Sequence, residues 1–174
     1  MPDPVGLIET RDGGATWRAL SLAGKTDFHA LDAAGERVIG FDGGPRASED
    51  GRRWDDLDPT VHPLTLTMSD DGRTVVATTQ SGVMRSTDGG ASSTPVADAP
   101  LLLLVDQVAG TETGHGVTPE GKVHRSDDGG TSWTPTGAIS GEPVALHADA
   151  DQLVVVADHH VSRSTDGGVS SAGW

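Results

Sequence analysis

Short apolar runs recur at matching places along the chain, and a turn rich in glycine or aspartate follows each of them. The four runs are residues 28–33, 64–69, 101–106 and 144–148. Several of them alternate between apolar and polar positions, which is typical of β-strands rather than of helices. Because each run is short and bounded by turn residues, we predict one strand from each.

A second apolar run follows each of these turns. These runs are residues 37–41, 74–78, 114–118 and 153–157. Two further short segments complete each unit, for example "GVMRS" and "KVHRS" as a third strand and "WTPTGA" as a fourth. Because no ten-residue stretch has the apolar spacing of a helix, we predict units of four antiparallel strands.

A glycine-rich hexamer marks the same point of each unit. "RSTDGG" stands at residues 85–90 and 163–168, "RSDDGG" at 125–130, and looser copies are "ETRDGGATW" from Glu9 and "ASEDGRRW" from Ala47. Its acidic position falls at Asp12, Glu49, Asp88, Asp128 and Asp166, in steps of 37, 39, 40 and 38 residues. Such a period, with four strands in each unit, is typical of β-propeller blades. We therefore predict an all-β propeller, or an open propeller arc, of about four to five four-stranded antiparallel blades.

The composition of the hexamer indicates a structural turn between the third and fourth strands. Its glycines allow positive φ, and its Ser and Asp side chains accept hydrogen bonds from nearby backbone N–H groups. The Trp that ends three copies is expected to plug the outer edge of the blade (Trp17, Trp54 and Trp133). Two copies have Ser93 and Ser171 at that place, and Trp174 comes three residues late. A calcium loop is the alternative, but one or two Asp residues per copy are few for six to eight oxygen ligands.

These hexamers resemble Asp boxes, also called BNR repeats. Such repeats mark the propellers of sialidases and related glycosyl hydrolases, sortilin-type receptors and photosystem II assembly factors. Residues 6–31 further resemble a bacterial group of sialidase-like, BNR-repeat glycosyl-hydrolase proteins. The resemblance implies that the boxes lie on the face opposite an active site, so it places no catalytic role on them.

The repeats divide the chain, taken as one domain of residues 1–174, into a half-blade and four blades. The half-blade is 5–22, and the blades are 27–57, 62–97, 101–138 and 142–174. Because the resembled propellers commonly have six or more blades, we expect a fragment of a longer protein. An export signal would then lie in the missing part, and the whole protein would be secreted or attached to the cell envelope. An open arc with exposed edges that favour self-association is the alternative.

Composition and charge limit the classes of binding partner that we expect. The chain of 174 residues has a formal charge of −14, and the sequence shows no basic stripe, so a nucleic-acid partner is not expected. No apolar run is long enough to insert in a membrane, and the sequence contains no Cys. No cofactor is expected. A carbohydrate or another protein remains as the partner.

Candidate chemistry lies in the loops that enter the first strand of a blade or join its second and third strands. Four carboxylates there are weak candidates for a glycosidase pair, and their choice is open (Asp27, Asp42, Glu142 and Asp158). The ligand-face candidates are His29, Arg46, His62, His159 and His160. A metal site of His29 and His62 with His159 or His160 is not predicted, because their spacing along the chain gives it weak support.

The residues argue against sialidase chemistry. Sialidases use a Tyr nucleophile, and the chain contains no Tyr. They also bind the substrate carboxylate with several Arg residues, whereas Arg46 alone falls in the candidate loops. We therefore favour a binding or interaction scaffold. A glycosyl hydrolase that acts through a carboxylate pair on the face opposite the boxes is the alternative.

Overall fold

The structure is a computed structural model that describes residues 3–170 and 172–173. The described residues form eighteen strands and no helix, so none of them belongs to a helix that could cross a membrane. The strands are β1 (Leu7–Glu9), β2 (Arg18–Ser21), β3 (Ala30–Ala34), β4 (Arg37–Phe41), β5 (Pro45–Ser48), β6 (Asp55–Asp56), β7 (Thr65–Met68), β8 (Val75–Thr79), β9 (Gly82–Ser86), β10 (Thr94–Pro95), β11 (Leu104–Gln107), β12 (Gly114–Val117), β13 (Lys122–Ser126), β14 (Thr134–Ala138), β15 (Pro143–Ala148), β16 (Leu153–Ala157), β17 (His160–Ser164) and β18 (Ala172–Gly173).

The strands form four four-stranded sheets and one two-stranded sheet, all antiparallel. The sheets follow chain order: β1–β2 is the half-blade, and β3–β6, β7–β10, β11–β14 and β15–β18 are the first to fourth blades. The first strands of successive blades lie side by side, β3 against β7, β7 against β11 and β11 against β15. The all-β propeller architecture predicted from the sequence is confirmed.

Apolar side chains pack between neighbouring blades and form the core. Ile39 of the first blade packs with Leu66 and Val75 of the second. Val117 and Val123 of the third blade pack with side chains of the fourth. All five residues of β8 are buried, whereas burial alternates along β16, because the fourth blade has a described neighbour on one side only.

Hydrogen bonds between first strands also join the blades. A side chain of one blade accepts a backbone N–H of the next blade at the same level of the arc in three successive cases. The pairs are Met68 N to Asp32 Oδ2 (2.7 Å), Gln107 N to Thr67 Oγ1 (3.2 Å) and Ala148 N to Asp106 Oδ2 (2.8 Å). These bonds satisfy buried backbone donors that the sheets leave unpaired.

The hexamers form the hairpins between the third and fourth strands, which we call the acidic turns (residues 10–17, 48–54, 86–93, 126–133 and 164–170). In the fourth of these turns, Ser126 Oγ accepts the Gly130 N–H at 2.9 Å, and Asp128 Oδ1 accepts the Ser132 N–H at 2.9 Å. Asp128 Oδ2 also accepts the Ser132 hydroxyl at 2.6 Å. The same bonds recur around Asp88 and Asp166, so the Ser and Asp side chains of these turns bond within the turns.

The expectation that Glu49 is the acidic residue of the second turn is wrong. Asp50, not Glu49, is the acidic residue of the second turn, because its Oδ1 accepts the backbone N–H groups of Arg52 and Arg53. This turn has a single glycine where the others have two, which moves the alignment by one residue. Glu49 instead pairs with Arg37.

The tryptophans differ from one turn to another. Trp17 is 59% exposed and does not plug an edge; its indole N–H donates to the Gly14 carbonyl of its own turn at 3.1 Å. Trp133 is half-buried and packs against the core between the second and third blades. Trp54 is half-buried and donates to Ser21 Oγ of the half-blade at 3.0 Å. The expectations for Ser171 and Trp174 lie outside the residues whose side chains the structure describes.

Candidate functional site

The arc has two faces with different loops. The turn face carries the acidic turns and the turns between the first and second strands of each blade. The loop face carries the loops that enter the first strands and those that join the second and third strands. All four candidate carboxylates and all five ligand-face candidates lie on or next to the loop face.

A groove of about 540 Å³ opens on the loop face between the first and second blades. Its apolar walls come from Phe41, Pro63, Leu64 and Met84. Its polar groups are the side chains of Thr60, His62, Thr79, Gln80 and Ser81. The lining therefore combines apolar surface with hydrogen-bonding groups, and none of its described residues is Asp, Glu, Lys or Arg.

The groove walls are held by contacts between loops and strands. The His62 ring meets the Phe41 ring edge-on, with 5.7 Å between centroids and 83° between planes. Thr79 Oγ1 donates to the Gly82 carbonyl at 2.8 Å and accepts the Ser81 N–H at 3.2 Å. The floor is thus fixed by strand ends, whereas the His62 side chain is exposed and able to meet a ligand.

The loop-face carboxylates do not converge on this groove. Asp42 pairs with Arg46, with 3.3 Å between Oδ1 and Nε, so each has a partner of opposite charge. Asp158 Oδ1 accepts the Glu142 N–H at 3.1 Å on the fourth blade. Asp27 is exposed in the loop that enters the first blade. None of these four carboxylates lines the groove or the central channel described below.

The histidines of the loop face are also spread apart. His62 lines the groove, whereas His29 lies at the mouth of the central channel. His159 has φ +65° and forms the two-residue turn between β16 and β17 with Asp158, and His160 opens β17. Among residues 3–170, no three His, Asp or Glu side chains meet in a way that could hold a metal ion.

A central channel of about 310 Å³ runs between the first strands of the four blades. Two carboxylates that the sequence did not single out line it, Asp32 and Asp106. Burial raises the pKa of Asp32, and the nearby Asp106 carboxylate raises it further. Both oxygens of each carboxylate accept backbone N–H groups, so their observed role is to join blades.

Sequence comparison gives no family. No protein-family model matches the chain, and no curated protein matches it.

Solved structures are similar in fold. YCF48 from Cyanidioschyzon merolae superposes with a TM-score of 0.63 at 17% identity, over 85% of this chain and 56% of that one. YCF48 bound to D1 peptide superposes with a TM-score of 0.66 at 14% identity, over 85% of this chain and 54% of that one. The GH74 xyloglucanase from Xanthomonas campestris superposes with a TM-score of 0.66 at 20% identity, over 83% of this chain and 25% of that one.

These neighbours are β-propellers, and at such identities the likeness shows the fold alone. The chain spans about half the length of the YCF48 structures and a quarter of the xyloglucanase. The chain is therefore a β-propeller arc whose similar structures include both a peptide-bound protein and an enzyme.

Proposed function

We propose that the chain is an Asp-box repeat propeller that serves as an interaction scaffold and binds a peptide segment of a partner protein in the groove between the first and second blades. The observation that carries this proposal is the lining of the groove. Apolar walls with a few polar groups suit a peptide, whose side chains fill the apolar part while its backbone meets Gln80 and Ser81. YCF48, a structure of similar fold, is bound to D1 peptide.

Charge indicates the chemistry of that peptide. The chain has a formal charge of −14, and its loop face carries acidic side chains such as Asp27 and Glu142. Such a field attracts cationic partners and speeds their encounter. The peptide that fits is therefore one with apolar anchors flanked by Lys or Arg.

The xyloglucanase fold raises the alternative of glycosidase activity. That chemistry needs two carboxylates free to act as acid and as base or nucleophile. Asp32 and Asp106 share a cavity, but their oxygens already accept backbone N–H groups that hold the blades together. The groove itself has no carboxylate among its described lining residues. These observations favour binding over catalysis.

Selection from a random peptide library on the immobilised protein tests the proposal. Enriched peptides should be basic and apolar, and fluorescence anisotropy should show Leu64→Asp weakening their affinity about tenfold or more. Leu101→Asp is the matched control, because this exposed leucine enters the third blade and lies outside the groove. Equal binding by wild type and Leu64→Asp, or release of reducing sugar from xyloglucan without peptide enrichment, would overturn it.

A further inference from the structure

The blades of this chain are joined by a contact that repeats at the acidic turns. The carbonyl of the glycine that follows the acidic residue accepts a hydrogen bond from a side chain of the preceding sheet. The pairs are Ser21 Oγ to Gly51 O (2.6 Å), Arg37 Nη2 to Gly89 O (2.8 Å) and Arg85 Nε to Gly129 O (2.7 Å). Three junctions thus use the same acceptor.

At two of these junctions an apolar contact accompanies the bond, and the same contact occurs without the bond between the third and fourth blades. The next glycine of the turn lies so close to the preceding sheet that a Cβ atom would be within 3 Å of a side chain there. The distances from such a Cβ atom are 2.9 Å to Leu57 for Gly90, 2.5 Å to Val76 for Gly130 and 2.7 Å to Val123 for Gly168. The first and second blades therefore each have a donor side, with a polar side chain and apolar neighbours, and an acceptor side, with a turn glycine. In the third blade, Arg125 donates instead to Asp127 of its own turn at 2.8 Å.

The fourth blade presents a donor side without a described partner. Arg163 occupies the place of Arg85 in the hexamer, and its Nε is buried without a hydrogen-bond partner among the described residues. Three valines of β16 and β17 beside it are half-buried (Val154, Val156 and Val161). Their counterparts in the second blade are fully buried against the third blade (Val76, Thr78 and Val83).

The half-blade presents an acceptor side that also has no partner among the described residues. A Cβ atom placed on Gly13 would meet no atom within 4 Å, and one on Gly14 would meet only Trp17, its own turn's side chain. Beside this turn, Ile8 is 39% exposed while Leu7 is buried against the first blade. Because successive residues of a strand point to opposite faces, Ile8 faces away from the first blade.

We propose that the chain associates head to tail with a second copy of itself, the fourth blade of one copy docking on the first acidic turn of the other. Arg163 of one copy donates to the Gly13 carbonyl of the other, and the three valines cover Ile8. The junction repeats the hydrogen bond and the apolar contact that occur together at two internal junctions, between the first and second blades and between the second and third. Such a contact joins unlike surfaces, so it produces rings or chains of copies. It lies away from the peptide groove and does not depend on it.

Sedimentation equilibrium of the full chain tests this contact. The mean mass should rise with protein concentration, and more steeply with added salt, because each copy carries a formal charge of −14 and salt screens their repulsion. Arg163→Ala should weaken association about tenfold. Arg53→Ala is the control with the same charge change, since that side chain is 93% exposed in the second acidic turn, and it should leave association unchanged.

A mixing experiment separates head-to-tail association from a symmetric contact. Ile8→Asp disables the acceptor side, and Arg163→Ala weakens the donor side, while thermal melts report whether each variant is folded. Each variant alone should be shifted to monomer, and the mixture should recover a dimer, because the two intact sides meet. A monomer at every concentration, or a dimer that neither variant weakens, or no recovery on mixing, would overturn the proposal.

Discussion

On the turn face, the same hydrogen bonds recur around Asp88, Asp128 and Asp166, whereas the loops of the opposite face change from blade to blade. The loops that join second and third strands span residues 42–44, 80–81, 118–121 and 158–159, and they therefore differ in length. Their side chains differ as well, and His62 beside Phe41 has no equivalent in the described part of the other blades.

This difference indicates that the turn face stabilises the fold and that the loop face carries the binding surface. The Ser and Asp side chains of an acidic turn bond within the turn, so replacing one of them should change the free energy of unfolding and leave the groove intact. A substitution in the groove removes exposed surface and should change binding with little effect on stability. Each prediction below compares one position with a matched position elsewhere.

The largest expected effect is that of Gly130→Ala on the turn face. Gly130 has φ +84°, and a Cβ there would lie 2.5 Å from Val76 Cγ2, so strain and overpacking should together cost about 3 kcal/mol. Gly43→Ala on the loop face has a similar φ of +106° but no neighbour, and should cost about 1–2 kcal/mol. Urea titrations of both variants measure the difference, and equal losses would contradict it.

Trp133→Ala should come next. The ring is half-buried against the core between the second and third blades, so its loss should cost about 2 kcal/mol, less than a fully buried Trp. Trp17→Ala is the comparison, since that ring is 59% exposed and its removal should change the melting temperature little. A large effect at Trp17 would mean that the half-blade is packed differently in solution.

Ser126→Ala should have a smaller effect. The buried Ser126 hydroxyl accepts the Gly130 N–H at 2.9 Å, and its removal leaves that buried donor unpaired at a cost of about 1–2 kcal/mol. Ser93→Ala, in the preceding acidic turn, should change stability by a few tenths of a kcal/mol, about the size of an ordinary surface substitution. Thermal melts of the two variants give the comparison.

Acid should weaken the acidic turns. Hydrogen bonds from hydroxyl and backbone donors lower the pKa of Asp12, Asp50, Asp88, Asp128 and Asp166 to about 2. Because these values lie below the ordinary 3.8, the stability they contribute is present above about pH 4 and is lost as the pH falls toward 2. Urea titrations across this range should show a smaller pH slope in Asp128→Asn than in wild type.

Sequence patterns predicted the repeated parts of this molecule and missed the parts that arise between blades. The bounds of β4 and β16 match the apolar runs at residues 37–41 and 153–157, because a buried strand bounded by turns has a clear local pattern. The second acidic turn was misaligned at Glu49 because it lacks one glycine. Local spacing is therefore reliable until a repeat changes its length.

The candidate site depends on contacts that local spacing does not contain. Asp32 and Asp106 were not singled out, because each lies within an ordinary strand and meets its partner only across a blade junction. The sequence predicts His62 in the loops opposite the hexamers, but its contact with Phe41 requires the first and second blades to be side by side. The groove is a product of that packing.

The most direct test of the division between the two faces is the affinity of a library-selected peptide for Asp128→Ala and His62→Ala, measured with the melting temperature of each. Asp128→Ala should melt lower and, at a temperature where it is folded, bind as wild type does. His62→Ala should melt as wild type does and bind about tenfold more weakly, while His160→Ala, outside the groove, should bind normally. Loss of peptide binding by Asp128→Ala at an unchanged melting temperature would contradict the account and make the acidic turns binding sites.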